Sequence, residues 1–138
     1  MHLLAAKPGS IDNGEEAVDL GQTPGDIIVL SAADSELSML ANALAKRSGR
    51  VELRLASLLH LNHNLSIDLY VDNIIAQAKL VVVRLLGGIS YWPYGVERTI
   101  EKCRSHCISL AIIPGDDNPD PELTGLSTLP TEVCHRLW

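Results

Sequence analysis

Arg84 stands inside an otherwise apolar run, Leu80-Val81-Val82-Val83-Arg84-Leu85-Leu86. A guanidinium there needs a carboxylate, because an unpaired buried charge costs several kcal/mol. It serves either to clamp a ligand carboxylate or as half of a structural ion pair with an acid such as Asp34 or Asp68. The structural pair is the expectation. The run ends in Gly87-Gly88, which suits a tight turn with positive φ and places backbone N–H groups where an open α/β sheet favours anions. Next comes Ser90-Tyr91-Trp92-Pro93-Tyr94, in which three of the chain's five aromatics fall within four residues. Such a cluster makes a platform for a flat apolar ligand or a partner surface, or else a small satellite core that seals the loop. Arg84, Gly87, Gly88, Tyr91 and Trp92 are the ligand-binding candidates.

Other chemistry is weaker. His60-x-x-His63 supplies two imidazoles, and Cys103-x-x-x-Cys107 with His106 two thiols and a third, but a tight metal site needs three or four ligands at defined spacing. No zinc-finger or ribbon pattern is present. No metal site is expected, and His60 and His63 come nearest to one. Asp116-Asp117-Asn118-Pro119-Asp120 lacks the twelve-residue calcium-loop pattern and reads as solvated loop. G-x-G-x-x-G, G-x-x-x-x-G-K-[ST] and G-x-S-x-G are all missing from the sequence, so no motif supports dinucleotide binding, ATP binding or a serine nucleophile. No catalytic residue is assigned.

The elements that must position these residues alternate. Apolar runs predict strands at residues 2–6, 26–31, 51–56, 80–86 and 107–113, with 51–56 alternating as an edge and 80–86 central. Between them lie helical periods. Leu37, Leu40, Ala41 and Leu44 form one stripe, started by Asp34 or Ser31 and stopped at Gly49. Ser66 is expected to cap the next helix, and Pro93 to open the one carrying Val96, Ile100 and Cys103. One short helical turn fits residues 15–20. Strand–helix–strand alternation predicts a Rossmann- or flavodoxin-like α/β domain: a mostly parallel sheet of about five strands with helices on both faces. Residues 1–115 form that domain. Residues 116–130 read as an acidic Pro/Gly loop, and Thr131 caps a helix with no C-cap by Trp138, as expected where a longer chain continues.

Composition narrows the class. The chain has 138 residues, 46% hydrophobic and 20% charged, enough for one ordinary core. A net charge of −6 argues against non-specific nucleic-acid binding, which demands a Lys/Arg stripe. Apolar runs are too short to span a bilayer, and the N-terminus has no basic signal-peptide region. Three cysteines, an odd number, read as reduced thiols in a cytoplasmic protein.

Several blocks together carry a resemblance. They are Met1-His2-Leu3-Leu4 with Asp12-x-Gly14-Glu15-Glu16-Ala17-Val18-Asp19-Leu20-Gly21-Gln22, then Leu30-Ser31-Ala32-Ala33-Asp34 and Ser66-Ile67-Asp68-Leu69-Tyr70-Val71. The most specific is Val83-Arg84-Leu85-Leu86-Gly87-Gly88-x-Ser90-Tyr91-Trp92-x-Tyr94-Gly95-x-Glu97, and Pro114-Gly115-Asp116-Asp117-x-Pro119-Asp120-Pro121-Glu122-Leu123 completes the set. The sequence resembles the N-terminal region of the large subunit of aerobic, ATP-dependent cobaltochelatase. It departs from that family at His63-Asn64, where a His-Pro pair is expected.

The resemblance implies a parent of well over a thousand residues, related to the porphyrin-binding subunit of magnesium chelatase. That parent would insert cobalt(II) into hydrogenobyrinic acid a,c-diamide during aerobic cobalamin (vitamin B12) synthesis. ATP would be hydrolysed on a separate AAA+ motor subunit with its companion. No cofactor and no catalytic residue is implied for this fragment. Should it touch the macrocycle, Arg84 would face carboxylates and Tyr91 and Trp92 the ring. Two alternatives stand beside this: a stand-alone α/β interaction or small-ligand module, and the magnesium chelatase large subunit, which the quoted blocks match less well.

Overall fold

A computed structural model describes residues 19–47, 49 and 51–138. Four strands, β1 (Ile27–Ser31), β2 (Leu53–Ser57), β3 (Leu80–Leu85) and β4 (Ser109–Pro114), form one sheet in the order β2-β1-β3-β4. All three pairings are parallel, with Ile27 opposite both Leu53 and Leu80, and Leu80 opposite Ser109. The fold is α/β and Rossmann-like, with four strands among the described residues. The strand expected at residues 2–6 lies outside the described residues, as does most of the helical turn expected at 15–20. Among the described strands β2 is an edge and β3 is central, as the alternating and continuous apolar patterns predict.

Helices α1 (Asp34–Ala45), α2 (Asn64–Asn73), α3 (Pro93–Ser105), α4 (Pro121–Thr124) and α5 (Thr131–Leu137) cover the two faces. Side chains alternate across each strand. Ile28, Leu30, Val81, Val83, Leu85, Leu110 and Ile112 meet α2, α3 and α4 on one face. Val29, Leu55, Val82, Ala111 and Ile113 meet Leu37 and Ala41 of α1 and Cys134 of α5 on the other.

Helix ends depart from the sequence expectation in instructive ways. α1 is preceded by Ala33, with no side-chain cap, and Asp34 is its first residue; Ser31 Oγ accepts from Ala33 N–H instead. It ends at Ala45, before Gly49. α2 begins two residues ahead of Ser66, because His63 Nδ1 accepts from Leu65 N–H at 3.1 Å and serves as the cap. Pro93 opens α3 as expected. Beyond the end of α3, Cys107 takes φ +54° and Ile108 N–H returns to Cys103 O at 2.8 Å, a Schellman turn that delays β4 to Ser109. Within the stretch read as loop, Asp120 Oδ1 accepts from Leu123 N–H and caps the single turn of α4. The cap residue of α5 is Pro130, with Thr131 its first helical position.

Both sheet edges are closed by side chains. Gln22 Nε2 donates to Leu55 O on β2 at 2.8 Å, and its Oε1 accepts from Tyr70. On β4, Leu110 N–H donates to Thr128 Oγ1 at 2.7 Å and Ile112 N–H to Ser127 Oγ at 2.8 Å. Strand addition by another chain is blocked at these positions. Among the described residues, no helix is long and apolar enough to cross a membrane.

Candidate functional site

In an open parallel sheet the ligand crevice lies beyond the carboxyl ends of neighbouring strands whose connections leave to opposite faces. Here those strands are β1 and β3, since α1 packs on one face and α3 on the other. Ser31 and Arg84 lie opposite each other at that point.

Arg84 is already partnered there. Its Nη2 lies 2.9 Å from Glu36 Oε1, and Ser31 Oγ donates to Glu36 Oε2 at 2.8 Å. The structural ion pair is therefore present, but its acid is Glu36, not Asp34 or Asp68. The cause is geometric: α1 starts at Asp34, so residue 36 falls on the half-buried side of the first turn, above β1 and β3. Both side chains of the pair keep 23% of their surface exposed, and Arg84 Nε is buried without a hydrogen-bond partner.

Gly87 and Gly88 both take positive φ, +94° and +78°, and lead into a 3₁₀ turn at Ile89–Tyr91. The aromatic cluster then divides three ways. Tyr91 stands outward, 43% exposed. Trp92 turns into the core, 4% exposed, and its Nε1 donates to Leu61 O at 2.8 Å. Its ring lies over Gly95, where an added Cβ would overlap the indole. Tyr94 donates to Asp68 Oδ1 at 2.7 Å. Arg98 Nε binds that same oxygen at 2.9 Å and reaches Asp72 and Glu101 at 3.3 Å, while Lys102 closes on Asp72 at 3.0 Å. The Tyr94 hydroxyl and the Arg98 guanidinium hold the Asp68 carboxyl below its usual range, and the Asp68 bond pushes the Tyr94 hydroxyl up. This network clasps α2 to α3.

His60 and His63 take different places in the fold. His63 caps α2, and His60 lines a cleft of about 410 Å³ with Asp34, Ser38, Gln22 and Ser57. Sequence reasoning missed that cleft; its only signal is Asp34 and Ser38 one helical turn apart, facing the loop after an edge strand. The cysteines also stay apart. Cys103 and Cys134 are buried and Cys107 is exposed, and burial pushes the Cys103 thiol up to about 12. Among the described residues no group of three or more His, Cys, Asp or Glu side chains is placed to hold a metal. Asp116 accepts from Asn118, and its carbonyl accepts from Trp138 Nε1 at 2.8 Å.

No family model matches the chain. It is 50% identical over 138 residues, its whole length, to the aerobic cobaltochelatase subunit CobN of Sinorhizobium sp. It is 40% identical over 139 aligned residues to the subunit of the same name in Pseudomonas aeruginosa. The chain spans 11% of the length of each. A solved structure, the catalytic subunit of cobaltochelatase from Mycobacterium tuberculosis, superposes on 80% of this chain and 8% of its own, with a TM-score of 0.59 and 25% identity.

Proposed function

We propose that this chain, related over its whole length to the cobaltochelatase subunit CobN, is the N-terminal domain of a cobaltochelatase large subunit. In that reading the parent is a ligase that inserts cobalt(II), its substrate, into hydrogenobyrinic acid a,c-diamide in the cytoplasm. ATP is hydrolysed on an AAA+ motor subunit with its companion. The observation that carries the reading is identity at half of all positions along the entire chain.

The geometry favours an assisting domain over the chelation centre itself. Metal insertion requires groups that take protons from pyrrolic nitrogens inside a closed cavity. At the switch point of this sheet, the one guanidinium is bound to Glu36, and the indole nearby is bound to Leu61 O. Arg84 and Trp92 therefore act as framework for the carboxyl edge, while Gly87 and Tyr91 are exposed there.

The test is ATP-dependent cobalt uptake by the purified long subunit with its motor partners. Cobalt insertion into the corrinoid is expected. Magnesium insertion into a porphyrin, or no insertion of either metal, would overturn the reading.

A further inference from the structure

Seven large apolar side chains stand exposed on the described residues, and four of them, Leu59, Leu65, Leu86 and Tyr91, follow the carboxyl ends of β2 and β3. Because every strand is parallel, those loops leave from one end of the sheet. The bond from Trp92 to Leu61 O ties the turn that carries Leu59 to the turn that carries Tyr91. Leu86 lies beside Gly115 at the end of β4, 57% exposed. Apolar surface gathered in this way marks an interaction site more often than a bare surface.

Charge selects the occupant. The loops at this end, residues 32–34, 58–64, 86–92 and 115–120, contain Asp34, Asp116, Asp117 and Asp120 and no Lys or Arg. Arg84 behind them is neutralised by Glu36. A polycarboxylate macrocycle meets repulsion there, whereas a protein surface with an apolar centre and a basic rim is complementary. Gln22 on one sheet edge and Ser127 and Thr128 on the other occupy positions that strand addition would use, so docking at the carboxyl end would be through side chains.

We propose that this carboxyl edge docks on another domain of the same long subunit. This rests on the reading of the chain as one domain of a CobN-type polypeptide. The chain is 11% of the length of its relatives, so most of such a polypeptide lies outside it and is held close by covalent connection. Tethering of that kind raises the effective concentration of a weak contact to about millimolar. An apolar patch of modest size is then sufficient.

Photo-crosslinking tests it in the full-length subunit, assayed for cobalt insertion before irradiation. p-Benzoylphenylalanine replaces Leu86, Tyr91 or, as comparator, Met39, which is exposed in the middle of α1. Positions 86 and 91 are expected to link within one chain, to a segment outside these 138 residues, in several-fold higher yield than position 39. Links to residues 1–18, to a second copy, to a motor subunit or to the macrocycle would overturn the proposal, as would no excess over position 39. An active subunit without the link removes the docking alone. A linked subunit that inserts no cobalt leaves the docking standing and removes the chelatase reading.

Discussion

The two faces of the sheet are built to different standards. Among the described residues, a cluster of 22 buried apolar side chains lies beneath α2 and α3, from Leu20 to Leu123, whereas beneath α1 and α5 the buried cluster numbers eight and is ringed by half-buried Ile27, Leu40, Leu53 and Leu80. A groove of about 870 Å³ opens along that second face, between the end of α1 and the start of β2. The difference follows from cover. α2 and α3 lie side by side and are clasped by Asp68, Tyr94 and Arg98, while among the described residues α1 shares its face with the seven residues of α5. The first face is held by close packing. The second depends in part on one ion pair, Glu36 with Arg84, at the switch point.

Substitutions that probe packing should separate the faces most sharply. Trp92→Ala empties a site at the junction of α3 and the loop after β2, and a loss of about 4 kcal/mol is expected. Gly95→Ala should approach it, since the new methyl group would overlap the indole ring. Leu40→Ala, on the rim of the second face, should cost only about 1 kcal/mol because that side chain is only partly buried. Urea midpoints of the three variants decide the matter. Equal losses for Trp92→Ala and Leu40→Ala would abolish the distinction between the faces.

The ion pair offers a second cut. Glu36→Ala leaves the Arg84 guanidinium without its acid, and with about a quarter of each side chain exposed the expected loss is about 2 kcal/mol. Arg84→Met removes the charge and keeps the stem, so it should cost less than Glu36→Ala. The double variant should lie near Arg84→Met. If the two single variants are equally destabilised and their effects add, no coupling exists across the switch point.

Much of the sheet was legible in the sequence, and the reasons for the rest are physical. Continuous apolar runs mark β1, β3 and β4, and alternation marks β2 as the edge, because burial on one or two faces writes itself into residue type. The phase of a helix start does not. The step from a cap at Asp34 to a cap at Ala33 turns residue 36 toward the sheet, and with it the identity of the partner of Arg84. An aromatic cluster such as Tyr91-Trp92-Pro93-Tyr94 likewise fixes apolar surface but not direction. Only the glycine at 95 hints that the neighbouring indole folds back. His63 escaped because imidazole nitrogen is an uncommon cap beside Ser, Thr, Asp and Asn.

That cap is itself measurable. His63→Ala removes the acceptor for Leu65 N–H and should cost about 1 kcal/mol, while His63→Ser should recover most of it. Because α2 covers the better-packed face, the loss should appear as faster amide exchange in the first turn of α2 and leave α1 unchanged. Equal acceleration in both helices would mean that the faces unfold as one unit.

The smallest expected effect concerns the clasp between α2 and α3. The bonds from Tyr94 and Arg98 lower the Asp68 carboxyl below its ordinary value of 3.8, so the folded state binds that proton less readily than the unfolded chain. The resulting stabilisation is fully present above that ordinary value and is lost as pH falls through the folded one. Asp68 is partly open to solvent, so the contribution is modest. Asp68→Asn should therefore lower the urea midpoint slightly at about pH 6, and the gap to the parent should close as pH falls below about 4. A gap that persists undiminished in acid would show that the amide disturbs packing, not charge. In that case the charge of Asp68 does not help to hold α2 on α3, and the remaining pairs of Asp72 with Arg98 and Lys102 carry whatever the clasp contributes.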